Sequence, residues 1–165
     1  MTDPLFVILK VLTLLGCGLA AGVFFAFSTF VMAALARLAP PQGIAAMQLI
    51  NITVINPWFM TVFLGTAAIS VVVAIAALLT WPQPGAAACL VGGLVYLVGT
   101  FGVTLLGNVP LNNTLAIASP ENPASAALWA TYLSRWTLWN HIRTIAAAVA
   151  TVALALSLYQ SGPGQ

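Results

Sequence analysis

Long uninterrupted runs of apolar residues alternate with short polar segments along this chain. Four runs, at residues 5–38, 57–80, 86–107 and 139–159, are long enough to cross a bilayer core, which needs roughly 20 helical residues. Because backbone N–H and C=O groups in lipid must be satisfied within their own segment, each run is predicted to be a helix. The pattern therefore predicts an all-α fold: a single domain over residues 1–165 that forms an antiparallel up-and-down bundle of four transmembrane helices.

The segments between the runs carry residues that begin and end helices. Two prolines at 40–41 end the first run, residues 81–85 form a tight Pro- and Gly-containing connection, and Asn56-Pro57 is a typical helix start. Residues 108–138 form a longer polar connection. Four spans place both termini on the same side of the membrane, but the few cations do not decide which side that is.

Composition identifies the solvent of this chain as lipid. Hydrophobic residues make up 62% of it, charged residues only 4%, and the mean hydropathy is +1.09, whereas about a quarter of a soluble domain is charged. We expect a multi-pass integral protein of the cell membrane. A net charge of +2 without a basic patch excludes nucleic acid as a partner. Cys17 and Cys89 lie in apolar runs without disulfide or zinc-site spacing and are predicted to be small core residues.

Polar residues are concentrated at one end of the predicted bundle, where the connections after the first and third runs lie. A polar side chain at membrane depth is costly unless it is paired or lines a cavity, so this end is predicted to form a polar pocket. For a single asparagine, an ordinary cap or turn is the alternative. The residues concerned are Arg37, Gln48, Asn51, Asn56, Asn108, Asn112, Asn113, Glu121, Arg135, Asn140, His141 and Arg143.

The last helix has the clearest geometry. At about 100° per residue, one stripe collects aromatic, amide and guanidinium side chains and is predicted to face the bundle. His141 lies roughly 140° from Trp136 by the same count, on a flank with Thr137 and Thr144. Trp129 is assigned to the aromatic belt at the membrane interface. The residues of the stripe are Tyr132, Trp136, Trp139, Asn140 and Arg143.

Several segments resemble the anthrone oxygenase family of small four-helix membrane proteins. The most specific are the Asn-x-Pro-x-Asn sequence that starts at Asn108 and the Trp-x-x-Trp-Asn-x-x-Arg sequence that ends at Arg143. The resemblance also includes residues 22–32 (GVFFAFSTFVM), 48–51 and 56–57. It implies a cofactor-independent oxygenase that converts polyketide anthrones to anthraquinones with O₂, so neither a metal nor a flavin is expected.

This chemistry needs a base for an acidic methylene and donors for the resulting oxyanion. The candidate catalytic residues are His141, because histidine is the residue type best suited to act as a base near neutral pH, together with Arg143 and Asn140. The helical count of about 100° per residue separates His141 from the stripe that contains Arg143. Either His141 is therefore not the base, or the helix is irregular at this point. The candidate substrate-binding residues are the other polar and aromatic side chains of the same end: Gln48, Asn51, Asn56, Asn108, Asn112, Asn113, Trp136 and Trp139.

Three other functions fit the same sequence. A non-enzymatic protein that binds or transports a small molecule or lipid would use the same pocket without reaction, and a homo-oligomer could supply the transport path. A metal or haem protein has poor ligand geometry here, with one histidine and two separated cysteines. An accessory subunit of a membrane complex would use the glycine-rich faces as contacts. For the oxygenase and for the binding protein, the expected partners are a hydrophobic or polycyclic small molecule and the lipid bilayer.

Overall fold

The computed structural model describes residues 4–162, and these residues form helices and turns without a strand. Four helices are long and apolar enough to span a membrane, and a shorter one lies between the first two. This confirms the predicted all-α bundle with four membrane-spanning helices. The helices are α1 (Pro4–Leu35), α2 (Pro40–Thr53), α3 (Pro57–Leu79), α4 (Ala86–Ala116) and α5 (Ser125–Gln160).

The four long helices pack as a ring in which α1 and α4 each contact both α3 and α5. One end of the ring holds the start of α1, the turn between α3 and α4, and the end of α5. There Lys10 Nζ donates a hydrogen bond to Ser161 Oγ at 3.0 Å, and Ser161 Oγ lies 3.2 Å from the carbonyl oxygen of Pro84. The described ends of the chain therefore meet at one end of the bundle.

Small residues allow the helices to approach closely, as expected when packing rather than hydrophobicity drives association in lipid. A Cβ atom on Gly99 of α4 would lie 2.6 Å from the Cβ of Ala146 on α5, and one on Gly92 would lie 2.8 Å from Leu154 Cγ. Gly22 is different, because nothing lies within 4 Å of the place its Cβ would take. The contacts of Gly92 and Gly99 thus join α4 to α5.

Helices α4 and α5 extend well beyond the predicted apolar runs. Most of the predicted polar connection at 108–138 is helical, since α4 continues to Ala116 and α5 begins at Ser125. Hydropathy marks the part of a helix that suits lipid, whereas the helix itself continues as long as its backbone groups have partners. Helix α2 supplies two of those partners, because Gln48 Nε2 donates to the carbonyl of Leu115 in α4 (2.8 Å) and to that of Ala118 just after it (2.9 Å).

Helix α2 also covers a second hydrophobic core, at the end of the bundle opposite Lys10 and Ser161. Trp129 is only 3% exposed, and its indole contacts the backbone of α2 at Gly43, where a Cβ would lie 2.8 Å from the ring. The assignment of Trp129 to an interfacial belt was therefore wrong, because folding of α2 over α5 buries the ring. Cys17 and Cys89 are buried free thiols in the main core, as predicted.

Candidate functional site

A cavity of about 260 Å³ lies at the polar end of the bundle, between all five helices. Its wall is mostly apolar with a few polar side chains, which is typical of small-molecule sites. Leu64 of α3 and Leu105 of α4 line it and are also 45% and 48% exposed, so part of the wall is the outer flank of the bundle. The aromatic lining residues are Phe24, Phe27, Phe59, Phe63, Phe101 and Trp136. The polar lining residues are Asn51, Thr104, Asn112 and Arg143.

Arg143 is the charged group of this cavity, and it is 7% exposed. Its Nε donates to Asn140 Oδ1 at 3.0 Å, and one terminal nitrogen donates to Thr104 Oγ1 at 3.3 Å. The guanidinium carbon lies 4.0 Å from the ring centre of Phe24 and 4.9 Å from that of Trp136, within the range of cation–π attraction. Aromatic faces and neutral oxygens therefore hold this cation.

The guanidinium retains capacity for a ligand. It has five N–H donors, and two of them bind the oxygens of Asn140 and Thr104. Within residues 4–162 the sole carboxylate belongs to Glu121, which is exposed in the loop before α5. A buried cation that carries no ion pair in the described chain presents a positive field to the cavity, where an anionic oxygen would be stabilised.

Asn140 lies behind Arg143 and is fully buried. Its Nδ2 donates to the carbonyl of Phe24 at 2.8 Å and to Ser28 Oγ at 2.7 Å, while its Oδ1 accepts from Arg143. All of its polar atoms are thus engaged with protein groups. Asn140 fixes the guanidinium and joins α5 to α1, and it does not line the cavity.

Asn140 contacts α1 at Ser28, where the α-helical hydrogen-bond pattern of α1 is interrupted by a π turn. Residues Phe27–Val31 form a π turn, and further π turns lie in α4 at Tyr96–Gly102 and Thr104–Asn108. Such turns are frequent at functional sites, because they alter which side chains face inward. Here Phe27, Phe101 and Thr104 all line the cavity. Nothing in the apolar pattern of the sequence indicates these turns.

A second polar group in the wall is centred on Asn112. Its Oδ1 accepts hydrogen bonds from Tyr132 Oη at 2.9 Å and from Trp136 Nε1 at 2.8 Å. Asn51 of α2 donates to the same tyrosine hydroxyl at a longer 3.5 Å. These bonds fix the Trp136 indole beside Arg143. Tyr132 was placed in the buried stripe by the wheel but was not chosen as a site residue.

Asn108 supports the site from outside the cavity. It is 1% exposed, and its Nδ2 donates to the backbone carbonyl of Trp136 at 3.1 Å, which joins α4 to α5. Its Oδ1 is buried without a partner in the described part of the chain. Asn108 thus fixes the position of Trp136 along the axis of α5 relative to α4.

The structure places two further predicted binding residues at helix ends rather than in the cavity. Gln48 binds the carbonyl of Leu115 at the end of α4 and that of Ala118 just after it. Asn56 is the N-cap of α3, with its Oδ1 accepting from the backbone N–H of Phe59 at 3.1 Å. Both make the cap-type interactions that asparagine and glutamine favour.

The remaining predicted residues also lie outside the cavity wall. Asn113 is exposed on α4, and Trp139 packs against Gly107, where a Cβ would lie 2.7 Å from the indole. His141 is exposed on the outer face of α5 and does not line the cavity, on the flank that the helical wheel predicted for it. Within residues 4–162 no three His, Cys, Asp or Glu side chains come together.

Comparison with known proteins gives one match. The family model described as Anthrone oxygenase matches residues 59–153, more than half of the chain. The matched segment runs from the start of α3 into the second half of α5, and so includes Asn112, Trp136 and Arg143. No curated protein and no solved structure matches the sequence.

Proposed function

This chain is a membrane protein that belongs to the anthrone oxygenase family, and we propose that its cavity binds an anthrone and oxidises it to the quinone with O₂. The observation that carries the proposal is the Arg143 guanidinium, buried between aromatic rings and presenting N–H donors to the cavity. An anthrone is a flat tricyclic ketone with an acidic methylene. The cavity combines flat apolar walls for its rings with one cation for its oxygen.

In the proposed reaction, Arg143 hydrogen-bonds the ketone oxygen of the substrate. Loss of a methylene proton then places negative charge on that oxygen, where the guanidinium stabilises it. The electron-rich anion reacts with O₂ to form a carbon–oxygen bond, and protonation gives a hydroperoxide. Loss of water from the hydroperoxide leaves a second ketone. One anthrone and one O₂ thus give one quinone and one water, and O₂ is the oxidant.

The proton acceptor in this scheme is water that enters with the substrate. Arg143 is the only titratable side chain among the residues that line the cavity, and His141 lies on the outer face of α5. The protein therefore acts by increasing the acidity of the methylene through the field of Arg143, and not by supplying a carboxylate or imidazole base. The amide nitrogen of Asn112, at the same wall, is a second donor for a ring oxygen.

The direct test supplies an anthrone to the purified protein in detergent and follows O₂ uptake and quinone absorbance together. We expect quinone formation above the spontaneous rate, with one O₂ consumed per quinone. With ¹⁸O₂, one labelled atom should enter the new carbonyl. Heat-denatured protein at the same concentration is the control. Retention of the anthrone without faster oxidation would contradict the proposal and favour a binding protein.

A further inference from the structure

A second cavity lies at the opposite end of the bundle, far along α1 and α5 from Arg143. Its volume is about 390 Å³, and it lies between the first turns of α1, the turn after α3 and the residue that follows α5. Its wall combines apolar and polar side chains. The wall includes Leu5, Phe6, Leu9, Lys10, Gln83 and Ser161.

Lys10 is the unusual residue of this wall, because its side chain is only 1% exposed. Lysines near the ends of membrane helices ordinarily extend their ammonium groups into water. Here the ammonium lies 4.9 Å from the ring centre of Phe6 and donates one hydrogen bond, to Ser161 Oγ at 3.0 Å. An ammonium has three N–H donors. The described chain supplies no carboxylate at this end, since Glu121 lies in the loop at the other end.

The position of the cavity relative to the membrane is given by aromatic side chains at the same end. Trp81, in the turn after α3, is 57% exposed, and Tyr159, near the end of α5, is 70% exposed. Exposed Trp and Tyr at the ends of membrane helices lie at the level of the lipid headgroups. The Lys10 cavity therefore opens at headgroup depth.

We propose that this cavity binds the phosphate headgroup of an anionic phospholipid, with Lys10 as its counter-ion. The ammonium takes a phosphate oxygen with its remaining donors, and the polar side chains of Gln83 and Thr80 line the same cavity. The exposed apolar side chain of Leu5 and the neighbouring Leu9 form a path for an acyl chain toward the bilayer core. The Lys10 ammonium provides the charge and the free donors for an anionic headgroup, and the adjoining apolar side chains provide the surface for an acyl chain. The ligand that fits both features is an amphiphilic anion.

The test measures lipid retention by native mass spectrometry of the whole protein in a mild detergent with added phospholipid. Phosphatidylglycerol should remain bound to the wild-type protein, and phosphatidylcholine should not. Lys10→Met should weaken phosphatidylglycerol retention about fivefold or more, and Lys10→Arg should restore it. Arg37→Met removes an equal charge from an exposed position at the other end of the bundle and is expected to retain the lipid.

Three further arms separate a lipid site from a structural contact. Ser161→Ala removes the partner of Lys10 but keeps the cation, so retention should persist; a loss equal to that of Lys10→Met would overturn the proposal. Inorganic phosphate should not displace the lipid, and displacement at equal concentration would assign the site to free phosphate. Asp3 lies outside the described residues, and Asp3→Asn should leave retention unchanged; a gain would identify Asp3 as the normal counter-ion and overturn the proposal. None of these readouts involves quinone formation.

Discussion

The two ends of the bundle each bury one cation, and they hold it in different ways. Arg143 lies between two aromatic rings and donates to two fixed oxygens, one of which belongs to an asparagine that is itself bonded to α1. Lys10 has one ring and one hydroxyl, which belongs to the residue that follows α5. The difference follows from depth, because a cation far from the headgroups needs permanent protein partners, whereas one near them can rely on a mobile anion.

The largest effect is expected at Arg143. Arg143→Lys keeps the charge but loses the planar guanidinium that fits between the rings, so it should fold and lose quinone formation by about 10²–10³-fold. Arg143→Ala should also lower the unfolding temperature, because Asn140 and Thr104 lose their partner in a buried site. The rate of quinone formation and the thermal unfolding temperature of each variant, measured in detergent, test these two expectations. His141→Ala is the comparison variant and should keep most of the activity; if it abolishes activity while Arg143→Lys behaves like wild type, the functions of the two residues are reversed.

A smaller effect is expected when the support of Arg143 is removed instead of the cation. Asn140→Leu removes the donors to the Phe24 carbonyl and Ser28 Oγ and leaves the Arg143 Nε without its acceptor, which should cost about 1–3 kcal/mol of stability. Quinone formation should fall by about tenfold through kcat, because the guanidinium is less well positioned. Asn140→Gln keeps the amide acceptor and donors on a longer side chain and adds no charge beside Arg143, so it should recover part of the kcat that Asn140→Leu loses. Equal losses of kcat in both variants would contradict a positioning role.

A packing change tests whether the Arg143 end depends on the close contact of α4 and α5. Gly99→Ala places a methyl 2.6 Å from the Ala146 Cβ, one turn from Arg143, and should destabilise the protein by about 1–3 kcal/mol. Gly22→Ala is the matched control, since the space is open and alanine favours helix, so it should be neutral or stabilising by up to about 1 kcal/mol. Thermal unfolding of the two variants gives the comparison, and equal destabilisation would show that the close contact is not the cause.

The smallest effect is expected at Lys10 in lipid-free detergent. Lys10→Met removes a single hydrogen bond near the ends of α1 and α5, which should cost about 1 kcal/mol or less. Quinone formation should be unchanged, because the two cavities lie at opposite ends of the bundle. A large loss of activity in this variant, without loss of fold, would contradict the independence of the two cavities and show that the two ends of the bundle are coupled.

The sequence predicted the four long helices, because long apolar runs in lipid leave the backbone no other conformation. It also predicted the shared inward face of Tyr132, Trp136, Asn140 and Arg143 and placed His141 on a flank away from them, since helical periodicity fixes which side chains share a face. The position of α2 was not predictable, because a short helix is placed by packing and not by hydropathy. Its placement buries Trp129 and brings Asn51 to the cavity.

The partners of Arg143 were predicted only in part. An arginine at membrane depth is expected to pair with polar groups of another helix, and the sequence suggested residues 108–113 for this role. The partner from another helix is instead Thr104 of α4. Threonine is common in apolar helices and gives no signal of its own, and the π turns of α4 rotate it into the cavity. Asn140 was expected to contact substrate but is fully bonded to protein groups. Hydrogen bonds of this kind between helices depend on how far one helix is shifted along its axis relative to the other. Residue periodicity does not specify that shift.

Leu64 and Leu105 belong both to the cavity wall and to the outer flank of the bundle, and this has a kinetic consequence for a substrate of the proposed class. A polycyclic molecule dissolves in the bilayer, so the concentration that governs its encounter with this flank is its mole fraction in lipid. Doubling the lipid at constant substrate dilutes it in that phase and halves the encounter rate. An apparent KM measured per litre of buffer would therefore vary with the amount of membrane, while the same constant expressed per mole of lipid would stay fixed.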